Sequence, residues 1–434
     1  MSPSQSLLLL LAAASLGLAS CSNARLRRRL ELREIEEPQS VFPLIENRTD
    51  LDVQGALQEA LDLQVGFNGD YGSGILRVES LDPSAGVVFE GAAGRRTNNS
   101  DPSDTPTTPD MQFEIASIGK MFTAVVMMQL VDEGKVSLDD PITEYLVLGN
   151  ISEVGVVGDD PSVGEGGGFV IPESLHRIGN TTYTANITVR MTLDHRSGVQ
   201  NYWDLDTFLG DYEREADRYW LGAETLIYPA EVEAHFPPGT PGRYEYTDTA
   251  FMLAGLIIEK VEGKPLSQSY SERIFGPVGM NNTYSQYRED NPNPDGEVAR
   301  YAIEGGLGLI DMRATPRNTA EWAGGAMASD ASDLCAFLKA LFSGRLMSPE
   351  SLEAMTNFEP TDEEGVSYGL GINKRVYGAG SIIGHSGYGR SFAYGIPEYG
   401  LVMAGTLNNH ENSDHLFQSS VLEVLNKYYA TTEP

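Results

Sequence analysis

Three strings in the chain carry side chains at spacings that suit acyl transfer. The first is FEIASIGKMFTA, Phe113 to Ala124, where Ser117 stands three residues before Lys120. On a helix, positions i and i+3 share a face with Cβ atoms about 5–6 Å apart, so the lysine nitrogen can sit beside the serine hydroxyl. If Ser117 opens that helix, unpaired N–H groups and the positive helix end favour an alkoxide or a bound oxyanion there. Lys120 can act as a base only where burial or neighbours lower its pKa. The second string, PGTPGRYEYTDTAFMLAGLIIEKVEG, sets Tyr246 and Asp248 at the mouth of an apolar helix. A tyrosine there shuttles protons if cations lower its pKa. Its structural alternative is to pack over the helix start with Asp248 as N-cap, a position where Asp and Asn serve about equally. The third string is GHSGYGRSFAYGIPE, with His385-Ser386-Gly387 leading into a strand. His385 can donate a hydrogen bond or a proton, and Gly387 lets a substrate backbone approach the strand edge. Each string alone also has an ordinary structural reading. Their combination and order carry the argument.

The elements that must hold these groups are legible around them. A short helix is expected over Val53 to Leu63, then strands over Gly74–Val78 and Val87–Glu90, with turn chemistry at Asp82-Pro83-Ser84-Ala85-Gly86 between them. Phe122, Val125, Val126, Gln129 and Leu130 fall near helical spacing, and Gly134 is a suitable stop. Further helices are expected over Thr249 to Glu262, ending at Gly263, and over Ala331 to Phe342, ending at Gly344. Strand character returns at Ser391–Gly395 and Leu401–Thr406, before an amphipathic helix over His415 to Tyr428. Strands at both ends around a helical middle imply an α+β architecture in which the two chain ends share one antiparallel sheet. Asn150 to Asn186 is Gly-rich and acidic and has no helical period, so it reads as an insertion able to form a functional rim or lid.

Ser-x-x-Lys, Tyr-x-Asp and His-x-Gly, in that order, resemble the motif set of the penicillin-binding and serine β-lactamase superfamily. The nearest likeness is to class C β-lactamases, D-amino-acid-specific carboxypeptidases and aminopeptidases, and related esterases. ITVRMTLDHRSGV (Ile187 to Val199), the stretch around Tyr246, and AGGAMASDASDLCAFLKALFSG support it, and the likeness extends over roughly Gly74 to Tyr428. It implies a β-lactamase/transpeptidase-like fold with no cofactor and no metal. It further implies an acylated Ser117, Lys120 as proton-relay partner, Tyr246 as general base and later acid, and His385 in the place of the lysine of Lys-Thr-Gly. The oxyanion hole would comprise the N–H groups of Ser117 and Tyr388, and Ser386, Gly387 and Arg390 would line the substrate, Arg390 as a carboxylate binder or as a solvated surface residue. Asp248 departs from the asparagine usual in the family. A carboxylate there would repel a substrate carboxylate, welcome a substrate amine and raise the pKa of Lys120. The substrate class, a β-lactam, a D-amino-acid peptide or a small ester, stays open. A binding protein of little turnover on the same fold is the alternative.

The composition excludes other classes. The 434 residues carry 62 acidic against 30 basic side chains, a net charge of -32. A nucleic-acid partner calls for a basic footprint, so the partner expected is a small molecule or peptide. No internal run approaches the roughly 20 apolar residues of a membrane helix. His410 to His415 has one residue too many for the His-Glu-x-x-His zinc motif, and no Gly-x-Ser-x-Gly elbow occurs. Leu7 to Ala19 has the size of a signal-peptide core, so residues 1–21 read as a signal peptide, 22–52 as a linker or propeptide, and 53–434 as one catalytic domain. Leu18-Ala19-Ser20-Cys21 resembles a lipobox, and Arg25-Leu26-Arg27-Arg28 a furin-type processing site. Sequons at Asn47, Asn98, Asn150, Asn180, Asn186 and Asn281 suit an exported glycoprotein, with a lipid anchor at Cys21 as the alternative. Cys335, on an apolar-periodic helix, reads as a buried structural thiol.

Overall fold

A computed structural model describes residues 52–67, 72–82, 84–97, 101–154, 169–299, 301–304, 308–311, 316–378, 380–408 and 414–432. The signal peptide, Cys21, the basic processing string, Asn47, Asn98 and nearly all of the linker lie outside these residues.

Strand periodicity at the two chain ends builds one layer. β1 (Ser73–Ser80) and β2 (Val87–Gly94) form a hairpin. The C-terminal part supplies β3 (Glu359–Pro360), β4 (Val366–Tyr368), β5 (Asn373–Tyr377), β6 (Gly380–Ser386), β7 (Ser391–Ile396) and β8 (Leu401–Thr406). The spatial order is β3-β4-β5-β6-β7-β8-β1-β2. The ends meet where β1 pairs antiparallel with β8, Ile75 opposite Thr406 and Ser80 opposite Leu401. The shared sheet expected from the sequence is therefore present.

Every residue of β7 and β8 is buried, because both faces of the sheet are covered. Alternation divides them. Leu76, Val78, Phe392, Tyr394 and Met403 pack with helices α1 (Val53–Phe67) and α5 (Asp414–Thr432). Ile75, Ala393, Val402 and Ala404 face the larger core. That core contains α2 (Gly119–Asp132), α3 (Asp248–Glu262) and α4 (Ala331–Phe342). In it Phe122 stacks on Phe337 with ring centroids 4.0 Å apart. Cys335 is buried on α4, as expected.

Three expectations need correction. His385-Ser386 closes strand β6 and precedes a turn, whereas it was expected to lead into a strand. Asp248 is the first residue of α3, and its N-cap is Thr247, whose side chain makes no capping bond. The insertion is in part built into the fold: Val147–Gly149 pairs in parallel with Val170–Pro172, and Arg177–Ile178 pairs with Thr181–Thr182. Ile171, Leu175 and His176 are buried there. Residues 155–168 of the insertion lie outside the described residues.

Candidate active site

The site lies where the start of α2, the start of α3 and the end of β6 converge. Ala116 has a φ of 44°, a left-handed conformation unusual for a residue with a Cβ. It carries the chain into a short 3-10 turn, Ala116–Ile118, that runs into α2 at Gly119. Ser117 is thereby presented, half-buried, at the positive end of the helix. Gly325 makes this possible: a Cβ there would lie 2.4 Å from the carbonyl carbon of Ala116. Ser391 Oγ donates to Ile115 O at 3.0 Å, tying the same segment to the sheet.

Lys120 is fully buried. Its Nζ donates to Ser117 Oγ at 3.0 Å, Asp248 Oδ1 at 2.5 Å and Gly324 O at 3.1 Å. An ammonium has three hydrogens and no lone pair, so as a cation it is a donor only, shared among these acceptors and the Tyr246 hydroxyl. Burial alone would push the ammonium pKa down. The Asp248 carboxylate, and after it Tyr246, outweigh that and hold the pKa above its ordinary value. The condition for Lys120 to act as a base is not met, because the sequence reading required a lowered pKa.

Tyr246 lies beside this group, its ring centroid 4.9 Å from Lys120 Nζ. Burial raises its pKa, Lys120 pulls it down, Asp248 pushes it up, and hydrogen bonding with Lys120 and Ser117 favours the ionised form; the net value stays above the ordinary one, so the pKa lowered by cations that the sequence called for is not met here either. Because Lys120 donates to Ser117 Oγ, the hydroxyl proton must point to another acceptor. Tyr246 is hydrogen-bonded to Ser117 and stands in place to take it.

His385 is brought into the cluster but not as a free donor. Its Nδ1 faces Ser386 O at 2.6 Å, so it carries the proton, and Nε2 accepts from Tyr368 OH at 2.9 Å. Burial, reinforced by the Lys120 charge, depresses its pKa to about 3. The imidazole is neutral, with both nitrogens occupied. Gly387 likewise serves the fold: a Cβ there would meet Ile115 O at 2.2 Å and Ser391 Oγ at 2.3 Å, so the approach it permits is that of the nucleophile segment. Ser386 ends β6, Tyr388 is exposed in the turn that follows, and Arg390, half-buried with a φ of 69°, donates its N–H to Gly387 O.

Sequence reasoning missed Gly324, whose carbonyl is the third ligand of Lys120, and His195, whose ring centroid lies 4.3 Å from that of Tyr246. Both occur in strings already noted, AGGAMASD and LDHRSG, but nothing local assigns them a contact.

The chain as a whole has counterparts among known proteins. The sequence model of the β-lactamase family matches residues 84–420. The chain belongs to the β-lactamase family. It is 29% identical to a D-aminopeptidase of Cereibacter sphaeroides (strain KD131) over 243 residues, 54% of this chain and 44% of the relative. The chain thus spans less than half the length of that curated relative. Among solved structures, a D-stereospecific amidohydrolase from Streptomyces sp. superposes with a TM-score of 0.67 at 26% identity, covering 88% of this chain and 99% of the other. The D-amino acid amidase of Ochrobactrum anthropi SV3 in complex with L-phenylalanine amide gives 0.68 at 25%, covering 87% and 100%. The fold is the β-lactamase/transpeptidase fold of these neighbours. Among the described residues no helix is long and apolar enough to cross a membrane, and no cluster of metal-ligating side chains occurs.

Proposed function

We propose that the chain is a serine hydrolase that forms an acyl-enzyme on Ser117, and that its preferred substrates are amides or esters bearing a free amine or no charge. The observation that carries this reading is the contact of Lys120 Nζ with Ser117 Oγ, with the Tyr246 ring centroid 4.9 Å from the same nitrogen, which sets a proton carrier beside the nucleophile. In the minor population whose phenol is ionised, a population that grows as pH rises, Tyr246 takes the Oγ proton as Oγ attacks the carbonyl carbon. The tetrahedral intermediate collapses with loss of the amine or alcohol, which receives that proton from Tyr246. Water, deprotonated by Tyr246, then attacks the acyl carbon, and Ser117 recovers its proton as the acid leaves. The N–H groups of Ser117 and Tyr388 serve as the oxyanion hole; one such donor contributes about 2.7–4 kcal/mol in other serine hydrolases.

Charge supports the substrate class. Asp248 cancels the Lys120 ammonium, and neutral His385 stands where the family's Lys-Thr-Gly version has a cation. An anionic substrate therefore finds two fewer positive charges than in that version. The similar proteins named above are a D-aminopeptidase and amidohydrolases. Export fits the apolar run Leu7–Ala19 and the exposure of Asn150, Asn180, Asn186 and Asn281.

The test is a hydrolysis panel of D-amino-acid amides, D-alanyl-D-alanine, p-nitrophenyl esters and nitrocefin, with Ser117→Ala as control. Turnover of amine-bearing amides, lost in Ser117→Ala together with fluorophosphonate labelling, is the expected result. Preference for nitrocefin overturns the substrate class. Absence of both labelling and turnover favours a binding protein.

A further inference from the structure

His195 is used by none of the steps above, yet it is built into the site in a way that is unfavourable for stability. Its φ is 60°, in the left-handed region. It is fully buried, and its Nε2 has no hydrogen-bond partner among the described residues. A strained φ and an orphaned buried donor each cost stability, and such costs gather at working sites.

The left-handed turn gives the residue a double grip on the segment entering α3. His195 O accepts the N–H of Glu245 at 3.0 Å, and His195 Nδ1 accepts the N–H of Thr247 at 3.1 Å. These two amides belong to the residues on either side of Tyr246. The ring then packs on the phenol, with centroids 4.3 Å apart. Because Nδ1 accepts, the proton sits on Nε2 and the imidazole is neutral. Phe251 and Tyr244 lie 5.3 and 5.8 Å from the ring, and Tyr368, the residue that donates to His385, packs at 4.7 Å. The charged or titratable groups acting on it are Lys120 of α2 and His385 of β6; burial, then Lys120, then His385 keep its pKa well below the ordinary value.

We propose that His195 is the positioning residue of Tyr246, clamping the backbone on both sides of it so that the phenol is held against Ser117 and Lys120. This rests on the reading of Tyr246 as the base. A misplacement of about 1 Å in such a group can cost on the order of 10²-fold in rate. Asparagine carries its Oδ1 at the same branch point as histidine Nδ1 and tolerates left-handed backbone, so His195→Asn retains the grip on Thr247, whereas His195→Leu loses it.

The experiment measures kcat and KM for D-alanine p-nitroanilide, together with the rate of fluorophosphonate labelling of Ser117 per folded molecule. The expected result is that His195→Leu lowers kcat and the labelling rate by about 10- to 100-fold, with KM within about threefold, and that His195→Asn recovers to within about fivefold of wild type. Should His195→Leu not fold, His195→Gln, whose amide oxygen lies one bond further out, takes its place under the same criteria. A leucine variant within twofold of wild type overturns the proposal, as does an asparagine variant as slow as the leucine one. Tyr246→Phe run alongside separates the two readings: at wild-type rate it overturns the base assignment, whereas a slow Tyr246→Phe beside a fast His195→Leu overturns the clamp alone.

Discussion

Replacing Asp248 by Asn tests the electrostatic core of the site. Were Asp248 a helix cap, the exchange would change stability by only a few tenths of a kcal/mol. In the structure its carboxylate lies 2.5 Å from an ammonium that is fully buried. Two unit charges 4 Å apart interact by about 4 kcal/mol at an effective dielectric of 20, and removing one partner of a buried pair costs roughly 3–5 kcal/mol. Asparagine keeps a carbonyl acceptor for Nζ, so the expected destabilisation at pH 7 is about 2–4 kcal/mol. The pH dependence has a definite sign. In the wild type, Lys120 has its folded pKa raised, so its contribution is fully present below the unfolded value and is lost as pH rises through the folded one. Without Asp248, burial, the largest influence on Lys120, lowers the folded pKa, and the lysine destabilises the fold at pH below its unfolded value of 10.5. The gap between the two proteins is therefore widest at neutral pH and narrows toward pH 10.5. Urea unfolding at pH 7 and pH 10 reads this directly. A gap below about 1 kcal/mol at pH 7, or one that is the same at both pH values, refutes the reasoning.

Tyr246→Phe is expected to lower kcat by about 10²–10⁴-fold while substrate still binds, since only the phenolic proton carrier is removed; steady-state kinetics with an inhibition constant for a product amine check this. His385, with a folded pKa of about 3 against an ordinary 6.5, contributes stability present above pH 6.5 and lost as pH falls through the window between the two values. The stability margin of wild type over His385→Gln is therefore expected to shrink by roughly 2 kcal/mol between pH 7.5 and pH 5, as measured by urea unfolding. Gly325→Ala would set a methyl group 2.4–2.5 Å from the backbone of Ala116, which cannot swing aside as a side chain can. We expect about 1–3 kcal/mol of destabilisation, together with loss of fluorophosphonate labelling, because the segment that must move carries Ser117.

What the sequence revealed and what it concealed divide along locality. α2, α3 and α4 and their stops were legible because apolar spacing and a following glycine are local signals; Gly134, Gly263 and Gly344 all have positive φ as those stops require. Pairing of the terminal strands followed from strand character at both ends of the chain around a helical middle. Asp248 was legible as a charge acting on Lys120, 128 positions away, because the motif set brings the two together; the local capping rule also offered it as an N-cap, and that place belongs to Thr247. Gly324 acts through a backbone carbonyl, which leaves no side-chain signature. His385 was expected as a donor because its type allows it, and only the placement of Tyr368 shows that both nitrogens are occupied.

The pairing of β1 with β8 also sets an order of events during synthesis. Ile75 leaves the ribosome long before its partner Thr406. Until then the hairpin of β1 and β2 has an open edge of unpaired backbone amides and carbonyls, a template for pairing with another chain. Contacts this distant along a chain form slowly, so the nascent protein must wait with that edge uncovered. Chains that stop before β8 would lose more than a terminal strand: the sheet would divide into two pieces, and the β6–β7 turn that holds the serine segment would lose its support. A nonsense change as late as Leu401 is thus expected to yield an insoluble product rather than a shortened enzyme, and a permuted chain that joins the C-terminal strands directly ahead of β1 is expected to fold faster than the natural order.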